Sequence, residues 1–309
     1  MQPSIDQFAG CLLGLASGDA LGAPLEGGAI ERFVWRLIGR TRSREMRWTD
    51  DTQMSLDLAD SLIANEVLDL DDLATRFAAS YRWHRGYGPG AARLLKRIAR
   101  GMDWREANRS VYTNGSYGNG GAMRAPIVGL FFASAPDQLV SAARDSARIT
   151  HAHPLGIEGA VLIAASTARA LADANARALL DSASAVCAET AFLEKLTLAR
   201  SWIDSERLTT PAEVRARLGC GMAAIDSCVT AVYLAARFLS ATFDELIRFV
   251  AACGGDTDTI GAMSGAIWGT ANGVGALPEP SLRTLEGRVR IQATADELFR
   301  SRARANYGD

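Results

Sequence analysis

Apolar positions along this 309-residue chain recur mostly at helical rather than strand spacing. Ile260, Met263 and Ile267 fall at i, i+3 and i+7, one face of a helix. Residues 157–173 are alanine-rich and mostly apolar, the pattern of a buried helix. The stretches 73–84, 91–99, 190–203 and 242–250 hold good helix formers without internal glycine or proline, and each predicts a helix. Clean period-two alternation over five or more residues scarcely occurs. Asn-Gly at 114–115, 119–120 and 272–273 lacks strand-like flanks and reads as loop. The fold class predicted is all-α. Loop signals are densest at 86–90, 114–121, 253–255 and 272–280, and the glycines are expected mainly there, where backbone must turn or approach a ligand. No linker, charge block or internal repeat divides the chain, so one domain over 1–309 is expected.

Composition narrows the function classes. Apolar and charged fractions of 48% and 22% are those of an ordinary globular protein. A net charge of −2 gives no overall attraction to nucleic acid or anionic membrane, and neither partner is expected. The apolar run 8–16, broken by Gly10 and Gly14, is too short to span a bilayer and makes a poor signal peptide. Five cysteines, odd in number and without a Cys-x-x-Cys pair, imply neither a zinc ribbon nor a disulfide framework; a reducing, cytoplasmic location is expected. Arg32, Arg36, Arg40, Arg42, Arg44 and Arg47 crowd one stretch. It reads either as a solvated loop or as a patch attracting a phosphorylated substrate or acidic partner.

The chemistry concentrates in two acidic quartets, Thr49-Asp50-Asp51-Thr52 and Asp256-Thr257-Asp258-Thr259. Each could be only a helix N-terminus, where Asp suits the cap and the dipole, and Asp50 with Gln53 has capping-box spacing. Capping needs one carboxylate, however, and each quartet carries two that repel. Adjacent helical side chains diverge by about 100°, so a pair can converge on one ion only in the cap turn. Gly254 and Gly255 permit unusual backbone angles just ahead of the second quartet. If the fold joins the two, the product is an all-oxygen anionic pocket that a hard divalent cation, or a pair of them, would neutralise. Carboxylates and hydroxyls without cysteine favour Mg²⁺ or Mn²⁺ over Zn²⁺. His151-Ala152-His153-Pro154 reads as a loop pair rather than a metal pair.

Ser116-Tyr117-Gly118-Asn119-Gly120-Gly121 could form an anion-binding nest of backbone N–H groups, or a plain turn. Gly86-Tyr87-Gly88-Pro89-Gly90 is a second permissive loop. No Walker A loop, Gly-x-Ser-x-Gly elbow or His-Glu-x-x-His helix is present. Asp256-x-Asp258 alone also matches metal-dependent glycosyltransferases, but the strand–helix alternation those require is missing.

Five segments in order resemble the ADP-ribosylglycohydrolase family: Gly10 through Glu26, Trp48 through Thr52, Ser116 through Arg124, Thr150 through Pro154, and Gly254 through Thr259. Each is modest alone; five in register are specific, and the resemblance runs from residue 10 to about 275. That family includes the dinitrogenase-reductase-activating glycohydrolase and the ADP-ribosyl-arginine and ADP-ribosyl-serine hydrolases. The resemblance implies a compact all-α fold and a site for two Mg²⁺ or Mn²⁺ ions held by Thr49, Asp50, Asp51, Asp256, Asp258 and Thr259. It implies that Ser116, Gly118 and Asn119 bind the ADP-ribose diphosphate and nearby ribose, that Gly88 and Gly90 add backbone contacts, and that His151 reaches the cleft. Glu26 matches a glutamate near the metals. Glu26 and Asp258 are the candidate acid/base residues, and the sequence does not decide between them.

The expected activity is therefore hydrolysis of the glycosidic bond between ADP-ribose and a modified protein side chain, releasing ADP-ribose. Arginine is the favoured acceptor. Loop 86–92 lacks the acidic residue of many arginine-type relatives, which keeps O-linked acceptors (serine, O-acetyl-ADP-ribose) as the alternative. A catalytically silent ADP-ribose binder is a further alternative, against which the full set of repelling carboxylates argues. The partner expected is an ADP-ribosylated protein, and the chain itself is expected to be a monomer.

Overall fold

The computed structural model describes residues 3–307. Among these, seventeen α-helices, four short 3₁₀ turns and three isolated bridges account for the regular structure. The first half of the chain holds α1 (Ile5–Gly22), α2 (Ala29–Ile38), α3 (Asp50–Asn65), α4 (Leu70–Ser80), α5 (Pro89–Ile98), α6 (Trp104–Val111), α7 (Ala125–Phe131) and α8 (Pro136–Arg148). The second half holds α9 (Pro154–Ala172), α10 (Ala176–Val186), α11 (Thr190–Asp204), α12 (Pro211–Arg217), α13 (Ala224–Arg237), α14 (Phe243–Cys253), α15 (Thr257–Asn272), α16 (Glu279–Arg283) and α17 (Arg288–Tyr307). The all-α expectation holds, and each stretch predicted as helix contains one.

One pair of helices sets the position of everything else. α1 starts at a capping box, with Ser4 accepting from the Gln7 amide and the Gln7 side chain accepting from the Ser4 amide. Beyond its first turn nearly every residue is buried. Gly10, Gly14, Gly18 and Gly22 form an i+4 stripe that faces the stripe Gly269, Gly265 and Gly261 on antiparallel α15. A methyl group at Gly10, Gly14 or Gly18 would sit 2.2, 2.3 or 2.1 Å from the facing carbonyl oxygen. The two backbones touch, and neither can give way as a side chain could. Adding one methyl at this seam should cost at least the ~1–3 kcal/mol usual for overpacking. The expectation that glycines gather in loops thus fails for these seven, because spacing alone does not show which helix a small-residue stripe will meet.

Antiparallel packing brings the end of α1 to the start of α15, where the Thr257 hydroxyl donates to the Gly22 carbonyl at 3.0 Å. Glu26 just after α1 and Asp256 just before α15 therefore share one end of the helix pair. α13, α9 and α14 pack around α15, and α17 closes the other side of α1. The windows 5–25 and 154–172 are apolar and long enough to cross a bilayer, yet 83% and 72% of them are buried in the protein, as core helices are.

Two boundaries differ from expectation. The helix predicted over 73–84 ends at Ser80 and gives way to a 3₁₀ turn at Trp83–Arg85. That turn sends Arg85 to the Trp48 carbonyl and to Glu286 at 2.8 and 2.7 Å, and these tertiary contacts override local propensity. The arginine-rich stretch is partly helical rather than a loop. α2 carries Ile30, Val34 and Leu37 at i, i+4 and i+7, and they stay exposed.

Candidate metal centre and substrate cleft

A cleft of about 370 Å³ opens at the shared end of α1, α3 and α15. Its size suits a small-molecule site, for which roughly 300–1,000 Å³ is usual. Glu26, Asp50, Asp51, Asp256, Asp258 and Thr259 line its floor, so the fold does join the two quartets.

The two turns are built differently. Thr49, not Asp50, caps α3, and its hydroxyl accepts from the Asp51 amide at 3.3 Å. Asp50 and Asp51 are the first helical residues. Asp19, buried in the last turn of α1, holds the turn from below. Its oxygens accept from the Thr49 amide at 2.9 Å, the Thr52 amide at 3.1 Å and the Thr52 hydroxyl at 2.5 Å. In the second turn Asp256 occupies the cap position without a side-chain cap bond. Gly255, at φ +83°, lets the Asp256 amide donate to the Cys220 carbonyl at 2.9 Å; a Cβ there would lie 1.9 Å from that oxygen. The Asn119 side-chain amide donates to Asp256 at 2.6 Å and to Ser227 at 3.0 Å.

Two groups of carboxylates have oxygens within 4.8 Å of one another: Asp19 with Asp51 and Asp258, and Glu26 with Asp256 and Asp258. Asp258 belongs to both, so the floor is one connected carboxylate cluster able to hold a cation. Asp51 Oδ2 is buried and has no hydrogen-bond partner among the described residues, a lone pair aimed where a cation would sit. Asp19 lies within range, but its lone pairs are taken by the α3 turn. We therefore read Asp19 as a support of that turn. Thr259 Oγ1 donates to Asp51 at 3.4 Å, and the Thr49 hydroxyl, which caps α3, keeps a second lone pair.

The electrostatics agree with a cation site. Burial pushes Asp19 up to about 6 against its hydrogen bonds. Burial, then the Asp19 charge, pushes Asp50 up to about 8. Asp51 and Asp258 are driven well above the usual carboxylate range, by burial first and then by neighbouring carboxylates. Divalent cations would remove that penalty, because hard oxygen ligands of this kind are what Mg²⁺ and Mn²⁺ take.

The cleft wall is neutral and rich in backbone. Gly88, Gly90, Ser116, Gly118, Asn119 and His151 all line it. Pro89 opens α5, and Gly90 and Ala91 of its first turn line the cleft, a helix start of the kind that favours an anion. The Ser116 hydroxyl accepts from the Gly118 amide at 3.3 Å. The His151 ring lies against Gly120, where a Cβ would come within 2.4 Å of it. Burial, then the Arg124 charge, lowers His151 to about 3, so the imidazole is neutral. Arg124 donates to Thr150 Oγ1 at 2.9 Å, and that hydroxyl lies 2.8 Å from His151 Nδ1. The neutral ring has one N–H donor and one acceptor nitrogen, and its tautomer sets which of them meets the Thr150 hydroxyl. Asn119, expected with its loop to bind the diphosphate and nearby ribose, lines the cleft, and its side-chain amide donates to Asp256 and Ser227.

A family model for ADP-ribosylglycohydrolases matches residues 1–307. The chain belongs to the ADP-ribosylglycohydrolase family. Among its relatives, ADP-ribosylhydrolase ARH3 of Mus musculus is 33% identical over 96% of this chain and 92% of its own length. The Homo sapiens ARH3 is 32% identical over 96% and 94%. The ADP-ribosyl-[dinitrogen reductase] glycohydrolase of Rhodospirillum rubrum is 28% identical over 96% and 97%. A solved chain from an ADP-ribosylglycohydrolase-related protein complex superposes with a TM-score of 0.72 at 30% identity, covering 96% of this chain and 98% of that one.

Three residues of this glycohydrolase's site escaped the sequence reading. Asp19 sat inside an apolar, glycine-spaced helix and looked like an isolated charge. Arg124 is fully buried, and besides Thr150 it donates to the Gly120 and Ser146 carbonyls, clamping loop 116–121. Ser227 supports Asn119 from α13. Asp19 and Arg124 stand inside two of the segments that carry the family resemblance, as charges in otherwise apolar surroundings, whereas Ser227 had no such signal.

Proposed function

We propose that this glycohydrolase is a metal-dependent hydrolase that releases ADP-ribose from a modified protein side chain. The observation that carries the reading is the carboxylate floor shared through Asp258, in a cleft whose other lining residues are uncharged. Asp50, Asp51, Asp256, Asp258 and Thr259 would hold two Mg²⁺ or Mn²⁺ ions. When bound, those ions supply the positive charge that attracts substrate hydroxyls and acidifies water. The protein's own groups do the rest. The start of α5, loop 116–121 and the neutral His151 ring would bind and orient the diphosphate and ribose. The floor's carboxylates would stabilise the positive charge that builds on the ribose as the glycosidic bond breaks. Glu26, half-buried where the floor meets solvent, is the better placed of the two acid/base candidates, because Asp258 is committed to both carboxylate groups.

For the acceptor, arginine is the reading favoured by the sequence. One observation supports the O-linked alternative. Among the described residues, every carboxylate lining the cleft belongs to the floor cluster. None remains to pair with a guanidinium once cations occupy the floor, whereas a neutral hydroxyl leaving group needs no such partner.

The test is incubation of the purified chain with arginine- and serine-linked ADP-ribosyl peptides in Mg²⁺, Mn²⁺ or EDTA, reading free ADP-ribose. Cation-dependent release from either peptide supports the hydrolase, and the preferred peptide decides the acceptor. Binding of ADP-ribose without release under saturating cation would point instead to a silent binder. Glu26→Gln should lower kcat while cation affinity holds; an equal fall in cation affinity would move Glu26 into the ligand set.

A further inference from the structure

α2 follows Glu26 by two residues and takes no part in the chemistry above. Ile30, Phe33, Val34 and Leu37 form a stripe along it that is 76%, 60%, 43% and 69% exposed. Its inward side is held by half-buried Trp35 and Ile38, with Arg47 donating to the Ile38 carbonyl at 2.6 Å. Beside the stripe, Gly27, Gly28, Ala29, Arg32, Phe33 and Arg36 line a groove that begins one residue past Glu26. Among the described residues, no carboxylate pairs with Arg32, Arg36 or Arg42. Of the thirteen large apolar side chains exposed among the described residues, nine lie on the cleft rim, on or just before α2, or in the turn before Gly86. Apolar surface gathered in this way around a cleft marks a contact face.

We propose that α2 is a docking surface for the modified protein, taking a segment with acidic residues and an apolar side chain close to the ADP-ribosylated position. This rests on the hydrolase reading of the cleft. Charge and shape choose the occupant. Unpaired arginines beside an apolar stripe call for carboxylates beside an apolar side chain. A second copy of the chain, paired by two-fold symmetry, would set Arg32 and Arg36 against themselves. Of the four stripe residues only Phe33 offers a ring to stack a base, and the other three are aliphatic, which disfavours nucleic acid. The ten residues of α2 span about 15 Å, the reach of about five extended residues, so the recognised side chains lie within about five positions of the modification.

The experiment uses the full chain, the double variant Arg32→Glu/Arg36→Glu and the double variant Phe33→Ser/Leu37→Ser, each checked by thermal melting. Binding is read by fluorescence anisotropy on an unmodified peptide with Asp, Glu and Leu flanking a central acceptor, and on a control with Lys in place of the acids. Turnover is read on the ADP-ribosylated acidic peptide and on the ADP-ribosylated free amino acid. Both variants should weaken acidic-peptide binding and raise its KM on the order of tenfold, with the free amino acid unaffected. Equal losses on both substrates, no loss on either, tighter binding of an RNA oligonucleotide than of the acidic peptide, or a wild-type dimer that the variants dissociate would overturn the proposal. If wild type hydrolyses neither substrate but binds the acidic peptide and the variants do not, the hydrolase reading fails and the docking surface stands.

Discussion

The two acidic turns look alike in sequence and are anchored by opposite means. The 49–52 turn is held by a carboxylate, Asp19, which accepts from its amides and from the Thr52 hydroxyl. The 256–259 turn is held by a carboxamide, Asn119, which donates to Asp256 at 2.6 Å. The first anchor adds negative charge beneath a cluster that is already anionic; the second adds none. Backbone order in the first turn is therefore tied to ionisation, and the first turn should depend more on pH and on cations than the second.

Removing the cations should have the largest effect. With EDTA, turnover should fall below detection, and thermal stability should become pH-dependent in a defined direction. Asp19 and Asp50 rise from 3.8 to about 6 and about 8 in the folded chain. The folded state then keeps protons that the unfolded chain has released, so stability should decline as pH rises from about 4 to about 8. Mg²⁺ or Mn²⁺ at pH 8 should restore melting on the order of 5 °C, with a smaller gain at pH 5. A melting temperature in EDTA that stays flat with pH would remove the electrostatic distinction between the turns.

Asp19→Asn comes next. It keeps the size but brings an NH₂ toward the Thr49 and Thr52 donors, so the turn loosens. Cation affinity or activity should drop roughly 10–100-fold, as for other outer supports of a metal site. The same change removes the charge that helps raise Asp50 and Asp51, so the pH-dependent decline in EDTA should become shallower. Wild-type activity in this variant would mean that Thr49 caps the turn unaided.

Both acidic turns could be read from the sequence because adjacent carboxylates ahead of an apolar run are costly, and few structural roles need two. The helices could be read because their patterns are local. The support from Asp19, the anchoring role of Asn119 and the glycine seam could not, for one shared reason. Each acts on a partner far along the chain, Asp19 on Thr49 and Thr52, Asn119 on Asp256, and Gly18 on Gly261. Spacing within a segment carries no information about which distant backbone it will touch. α2 was hidden differently: its arginines made the stretch look like solvated loop and masked the i, i+4, i+7 stripe between them.

Asn119→Ala tests the neutral anchor. It leaves Asp256 buried and without its donor, and cation affinity should fall about tenfold, near the lower end of the range for such supports. Its pH profile in EDTA should match wild type, since no charge is removed. A profile that shifts as it does in Asp19→Asn would show the two anchors to be electrostatically alike after all.

The smallest effect is expected at Ser227→Ala, one step further out. The Ser227 hydroxyl accepts from Asn119 at 3.0 Å and itself donates to the Ala223 carbonyl at 3.1 Å. Without it Asn119 keeps its bond to Asp256 and its backbone bond to the Met222 carbonyl, so the amide stays in place and loses one of two side-chain partners. Losing a single neutral hydrogen bond costs about 1 kcal/mol, and most of that should appear as lower stability. Cation affinity should move by only about two- to threefold. Isothermal titration with Mn²⁺ on the two variants separates the cases. A loss in Ser227→Ala as large as in Asn119→Ala would mean that the serine, through α13, aims the carboxamide. The second turn would then be anchored to the α13 scaffold rather than to loop 116–121.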